Sequence, residues 1–272
     1  MKKHFQFTFF VLAAAIVLTT AGCSQAKTAS SGASAAASID KIKANGYVTM
    51  STNAEFEPFE FKDGENFAGI DIDISNKIAQ KLGVKLKIND VAFSALTMEL
   101  DTGKANFVAA GMTEDPDKKK NVDFSEPYFD ASQSIIVLKD SPIKLRADLN
   151  GKKVGVQQGT TSDKYCTNED GKNDIKVAST ERYSKSADAV TDLINGKIDA
   201  VVVDDFPAKK FVEKNSDKLV KLNDALTVEK YAIAVKKGDA DMLKVVNEVL
   251  EEMKSSGEMN KIFEKYKDAL GG

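Results

Sequence analysis

Ala110-Gly111-Met112-Thr113-Glu114-Asp115-Pro116-Asp117-Lys118-Lys119-Lys120-Asn121-Val122-Asp123-Phe124-Ser125-Glu126-Pro127-Tyr128 follows directly on the apolar run Phe107-Val108-Ala109-Ala110. The run reads as a buried strand that ends at Gly111, a residue that lets other groups approach the backbone closely. Thr113 supplies a hydroxyl. Asp115-Pro116 has the form of a helix start, with Asp at the N-cap and Pro at the first helical position. Helix N-termini carry unpaired N–H groups that suit an anion, and Lys118 would add a full positive charge just inside. Strand end, glycine, hydroxyl, helix start and cation together predict a seat for a small carboxylate.

The same wording returns further along. Leu100-Asp-Thr-Gly103-Lys104-Ala-Asn106-Phe-Val108 matches Leu193-Ile-Asn-Gly196-Lys197-Ile-Asp199-Ala-Val201 at a constant offset. Both copies read as helix, Gly-Lys stop and apolar strand, so two lobes of similar build are expected. At that offset Gly111 falls on Asp204. Strand C-terminal ends are where open α/β sheets bind ligands, so one lobe would present glycine and N–H groups and the other a carboxylate. That pairing suits a molecule carrying both a carboxylate and an ammonium.

Strand and helix patterns alternate elsewhere too. Tyr47–Ser51 reads as a strand. Ile72–Leu82 has apolar residues at helical spacing and stops at Gly83, and Val84–Ile88 alternates as a strand. Such alternation implies βαβ units and mostly parallel sheets. Residues 39–135 plus 230–272 would form lobe 1 and 140–227 lobe 2, joined through Ser134–Leu138 and Glu229–Ala234 as two hinge strands.

The start of the chain has the pattern of an export signal: basic Lys2-Lys3-His4, then an apolar stretch from Phe5 to Thr20. Thr20-Ala21-Gly22-Cys23 resembles a lipobox, with Thr20 where leucine is commoner. Residues 1–22 would then be a lipoprotein signal peptide, Cys23 the lipidated residue and lipid anchor, and the Ser/Ala/Gly-rich 23–38 a flexible tether. Past this signal no stretch has the length and apolarity of a membrane span. The chain carries 38 Lys and Arg against 41 Asp and Glu, net charge −3. Loss of Lys2 and Lys3 makes it more acidic, which speaks against a nucleic-acid partner. His4 is the only histidine and leaves with the signal, so neither a histidine metal site nor a histidine general base is expected. With Cys23 acylated, Cys166 has no partner and is expected as a tolerated, partly buried thiol.

Phe56-Glu-Pro58-Phe59-Glu60-Phe61, Gly69-Ile-Asp71-Ile-Asp73, Gly103-Lys104, the 111–128 stretch, Asp148-Leu-Asn-Gly151-Lys, Val156-Gln-Gln-Gly159-Thr160-Thr161 and Asp199-Ala200 occur in this order over 40–270. In that order and spacing the chain resembles the family 3 solute-binding proteins of amino-acid ABC importers. The resemblance implies a two-lobed, periplasmic-binding-protein-like α/β fold of type II, each lobe a mostly parallel sheet flanked by helices. It implies an extracytoplasmic, lipid-anchored monomer that takes an amino acid between its lobes and passes it to an ABC permease and its ATPase, with no cofactor, no metal and no catalysis. Lys118 stands where the family usually has arginine, the partner of the ligand carboxylate. Lysine gives a point charge in place of a bidentate fork. Asp204 would accept the ligand ammonium. Asp205 is as well placed to cap the helix that follows.

Phe56 and Phe93 would wall the ligand side chain. Ala110, Gly111 and Thr113 would line the lobe 1 seat. Thr160 and Thr161 would grip the carboxylate from lobe 2, against simple helix capping, and Gln157 matches a contact position. Asn53, neutral where some relatives have aspartate, lines the same region. Glu55 and Val203 are possible specificity positions, Glu55 either supplying a charge or facing water. Two rivals use the same fold. One is a small-carboxylic-acid dehydratase-like enzyme, weakened by the absence of histidine; the other is a ligand sensor, weakened by the absence of a fused signalling segment.

Overall fold

The structure, a computed structural model, describes residues 32–168, 171, 173–224 and 226–266. The signal sequence, Cys23 and the first part of the expected tether lie outside these residues. Helix α1 (Gly32–Asn45) begins inside the expected tether and corrects its end, because Ala33, Ala35, Ala36 and Ala37 belong to the helix. Alanine carries the highest helix propensity, which outweighs the serines and glycine of this stretch.

Along the chain follow β1 (Tyr47–Thr52), β2 (Glu55–Phe56), β3 (Glu60–Asp63), β4 (Asn66–Ala68), α2 (Ile70–Leu82), β5 (Lys85–Asp90), α3 (Leu96–Asp101), β6 (Phe107–Val108), β7 (Val122–Phe124), β8 (Phe129–Ala131) and β9 (Gln133–Leu138). Then come β10 (Lys153–Gln157), α4 (Thr161–Thr167), β11 (Ser179–Tyr183), α5 (Ser186–Ile194), β12 (Ala200–Asp204), α6 (Asp205–Lys214), β13 (Leu219–Lys221), β14 (Glu229–Tyr231), β15 (Ala234–Lys236), α7 (Ala240–Ser255) and α8 (Glu258–Lys265).

The chain folds into two lobes. One five-stranded sheet has the order β5-β1-β6-β15-β7, the other β11-β10-β12-β9-β13. Corresponding strands pair alike. The first three of each sheet are parallel, and the fourth, β15 or β9, runs antiparallel to both neighbours. In both lobes that antiparallel strand is the segment entering from the other lobe. The internal repeat sits at equivalent places, α3–β6 in one lobe and α5–β12 in the other, and Gly103 and Gly196 both stop their helices at positive φ.

Of the two expected crossings, Glu229–Ala234 does contain a hinge strand, while the other lies earlier in the chain than expected. β8 and β14 form an isolated antiparallel pair, Phe129 opposite Tyr231 and Ala131 opposite Glu229. Ser134–Leu138, expected as a hinge strand, lies in β9, an interior strand of lobe 2. Ile135, Ile136 and Val137 are fully buried there between β12 and β13. Three apolar β-branched residues in a row suit a strand covered on both faces, not a two-strand link in water.

Lobe 1 buries Val48, Met50, Phe107 and Val235 of its sheet against Ile74, Ile78, Val246 and Leu250 of α2 and α7. In lobe 2, Ala200 and Val202 of β12 face one core cluster while Val201 and Val203 face the other. This is the period-two alternation of a strand buried on both sides. Each fully buried Val, Leu or Ile contributes about 1.5–3 kcal/mol. Cys166 is buried in lobe 2 rather than half-buried, and that burial pushes its thiol up to about 12, so it is inert packing. Among the described residues no helix is long and apolar enough to cross a membrane.

Candidate functional site

The C-terminal ends of β1, β6, β10 and β12 converge on one small, nearly closed cavity of about 20 Å³ between the lobes. Asn53, Phe56, Phe93, Ala110, Gly111, Thr113 and Lys118 line it from lobe 1, and Gln157, Thr160, Thr161 and Asp204 from lobe 2. These are the eleven residues expected from the sequence to contact a ligand. One more, Glu60, lines the cavity unforeseen. Two expected specificity positions lie outside it. Val203 packs in the lobe 2 core with Ile136, Ala189 and Leu193, because the strand alternation turns it away from the cleft. Glu55 neither lines the cavity nor faces water freely. It forms an ion pair with Lys185 of the opposite lobe, at the cleft rim.

Hydrogen bonding decides which lining groups are free. The Gly111 N–H, expected to point at a ligand, donates to Asp71 Oδ2 at 2.8 Å. The other oxygen of Asp71 accepts from Tyr128 Oη at 2.7 Å. Gly111 has φ +49, and a Cβ there would lie 2.6 Å from Phe56 Cε1, so the glycine makes room for the aromatic wall. Thr113 Oγ1 donates to Glu229 Oε2 at 2.7 Å. The expected helix at Asp115-Pro116 is one 3₁₀ turn, Lys118–Lys120. Asp115 Oδ1 accepts from Asp117 N at 2.8 Å just ahead of that turn, but Pro116 and five charged side chains with no apolar face give the segment nothing to extend along. Lys118 Nζ reaches Asp115 Oδ2 at 2.7 Å. Burial raises the Asp115 carboxyl, yet Lys118's charge and hydrogen bonds outweigh that and hold it below the usual carboxylate range.

From lobe 2, Thr160 Oγ1 accepts from Asp163 N at 3.3 Å and donates to Gln157 O at 2.7 Å, so it caps α4. The Thr161 hydroxyl, by contrast, has no partner among the described residues. Gln157 Nε2 donates to Asn53 Oδ1 at 2.8 Å across the cleft and to Ser184 O at 3.0 Å. The two amides therefore bind each other and tie the lobes together. Gly159 of lobe 2 comes up against Ser94 of lobe 1, where a Cβ would sit 3.3 Å from the Ser94 Cα. Lys214 reaches Glu57 at 3.3 Å, and Lys164 pairs with Asp117, so both rims of the cleft carry ion pairs between lobes.

The floor of the cavity is acidic. Asp204 closes β12 and makes no capping bond with α6; its Oδ1 accepts from Tyr231 Oη at 2.6 Å. Asp205 is instead engaged by Ser134 Oγ at 2.7 Å and Lys221 Nζ at 2.6 Å. Burial, reinforced by the charge of Glu229, pushes the Asp204 carboxyl up to about 7, against the Tyr231 and Gln133 hydrogen bonds. Burial lifts Asp71 to about 6, opposed by its bonds from Tyr128 and Gly111. Glu60 is 1% exposed, and its Oε2 is buried with no hydrogen-bond partner. Burial, then the neighbouring Asp71 and Asp204, raise it well above the ordinary value. The sequence did carry a trace of Glu60: an acid held between Phe59 and Phe61. In β3 it faces inward, whereas Phe61 is half-exposed.

An α-amino acid set in this cavity would meet acids at Glu60 and Asp204, a cation at Lys118, the free hydroxyl of Thr161 and aromatic walls at Phe56 and Phe93. The family model for bacterial extracellular solute-binding proteins, family 3, matches residues 48–269. The arginine-binding extracellular protein ArtP of Bacillus subtilis (strain 168) is 31% identical over 218 residues, 80% of this chain and 84% of that protein. A probable histidine-binding protein of Neisseria gonorrhoeae is 36% identical over 82% of this chain and 84% of its own length. The arginine-bound form of truncated ArgBP from T. maritima superposes with TM-score 0.72 at 44% identity, covering 79% of this chain and 99% of that one.

Proposed function

The chain belongs to the bacterial extracellular solute-binding proteins of family 3, and from that premise we propose that it is an extracytoplasmic receptor for an amino acid with a cationic side chain, arginine or lysine in type. It holds the ligand between its lobes and delivers it to an ABC import permease. No bond is made or broken in this role. Glu60 carries the reading of the ligand class. A carboxyl group with an unpartnered oxygen, buried in the cavity wall, is costly unless a cation meets it. Asp204 accounts for the α-ammonium, so a second acid asks for a second positive charge. Arginine-binding relatives support the same choice. Lys118, shared with Asp115, and the Thr161 hydroxyl hold the α-carboxylate, while Phe56 and Phe93 flank the stem. Ligand favours the closed arrangement because it touches both lobes at once.

Thermal unfolding with each of the twenty amino acids, ornithine and cystine tests this. A ligand at 100 times its Kd stabilises by about 2.7 kcal/mol. Arginine, lysine or ornithine should give the largest shift. A larger shift from a neutral or acidic amino acid would overturn the cationic assignment.

On the same reading the chain is a monomer anchored to the membrane through a diacylated Cys23, after removal of residues 1–22. Cys23→Ser should abolish the lipid mass on the mature N-terminus and release the protein from membranes. A membrane fraction unchanged by this substitution would refute the anchor.

A further inference from the structure

We infer that a cationic ligand expels a proton from the floor of the cavity: in the ligand-free protein one proton is held between Glu60 and Asp71, and it leaves for solvent when the ligand's side-chain cation takes its place against Glu60. The inference rests on the cationic reading above and adds a consequence which that reading alone does not require.

The geometry places the proton. Asp71 enters from the first turn of α2 and is fully buried. Both its oxygens already accept bonds, from Gly111 N–H and Tyr128 Oη, and each donor favours the carboxylate form. Glu60 comes from β3, neighbours Asp71, lines the cavity, and leaves its buried Oε2 without a hydrogen-bond partner. Two neighbouring buried carboxylates do not both ionise without a cation. Asp71 holds the two donors, so Glu60 carries the proton.

The surroundings supply no other compensation. β12 brings the Asp204 carboxyl, β14 brings Tyr231 and Glu229, and the turn before β8 brings Tyr128. Lys118, the cation lining the cavity, is paired with Asp115. Among the described residues no lysine or arginine forms an ion pair with Glu60. A guanidinium or ammonium against Glu60 reverses the balance. The acid becomes a carboxylate, its O–H bond breaks, and the proton passes to water. A neutral side chain leaves the proton in place.

Calorimetric titration at pH 7 in two buffers of different ionisation heat counts the protons. Arginine should release about one proton per molecule more than glutamine, since the two share their α-groups and any contribution from Asp204 cancels. Glu60→Gln should bring the arginine count down to the glutamine value. In the wild type, log Kd for arginine should fall with pH between 6 and 8 more steeply than for glutamine, by about one unit per pH unit. Should the variant bind too weakly to titrate, this slope decides by itself. Arginine binding with the same proton count and slope as glutamine would overturn the inference while leaving the cationic assignment standing, as would a difference that survives in Glu60→Gln. Failure of arginine and lysine to bind would remove both.

Discussion

Gly111 and Asp204 occupy the same place in two sheets of the same topology, each at the cleft end of a strand that follows a helix and a Gly-Lys stop. Their surroundings are built oppositely. In lobe 1 the acid is set back on another element: Asp71 of α2 binds the glycine's N–H from beneath, and the missing side chain lets Phe56 lie over the turn. In lobe 2 the acid stands on the strand end itself, steadied by Tyr231 from the hinge pair. One end is a shaped surface whose acid lies below it; the other is a buried acid that lines the cavity itself, its support coming from behind. The same architecture thus yields a wall and an anchor, and the hinge residue Tyr231 serves both, since its ring also packs 6.2 Å from that of Phe56.

Breaking the lobe 1 arrangement should have the largest effect. Asp71→Ala leaves the Tyr128 hydroxyl and the Gly111 N–H buried without an acceptor, and should lower stability by about 2–4 kcal/mol; a denaturant midpoint unchanged from wild type would show that Asp71 does not hold the turn. Gly111→Ala forces a methyl onto the Phe56 ring at positive φ and should lose about 1–3 kcal/mol, read from thermal unfolding, with Phe56→Leu restoring part of it.

On the lobe 2 side, Asp204→Asn should keep its fold and weaken amino-acid binding tenfold or more, roughly 1.4 kcal/mol. A smaller loss would assign the ammonium to Glu60 instead. The raised pKa values add a pH signature. Asp204 near 7 and Asp71 near 6 bind protons more tightly folded than unfolded, so the folded state holds more protons above pH 4. Ligand-free stability should therefore fall as pH rises from 5 to 8, and Asp204→Asn should flatten that decline. A stability that rises over this window would refute the burial of these carboxyls in solution.

Smaller effects sit at the edges. Lys118→Ala should reduce affinity about threefold, near 0.7 kcal/mol, because Asp115 already shares its charge; no change would take Lys118 out of the site. The rim pair of Lys185 and Glu55 is half-exposed, so Lys185→Ala should shift affinity less than twofold, and less again in high salt. An order-of-magnitude loss would mean that the rim, not the floor, holds the lobes closed.

Much of this could be read along the chain. The helical spacing before Gly83 and the repeat ending at Gly111 and Asp204 are local signals, and each has its counterpart in the structure: a helix stopped by a left-handed glycine, and paired strand ends. Gly111, Thr113 and Asp204 around the cavity were legible because strand ends and the turns after them are set by short-range pattern, whereas Asn53, Phe56, Phe93 and Gln157 were expected from the family resemblance. The misses share a cause. Ser134–Leu138 shows its apolarity in sequence but not its neighbours, and only pairing with β12 and β13 makes it interior. Val203 is one residue from Asp204, and the pleat alone turns it away from the cleft.

The sequence by itself determined the order of elements, the two-lobed class and the positions of the strand ends, because helix period, strand period and glycine stops act within a few residues. Only the tertiary structure decided what each polar group at those ends is free to do. The Gly111 N–H is taken by a carboxylate 40 residues away, the Asn53 and Gln157 amides by each other 104 residues apart, while Glu60 Oε2 is left with no partner. Burial and hydrogen-bond saturation are properties of the packed whole, and they assign the ligand's charges to particular oxygens.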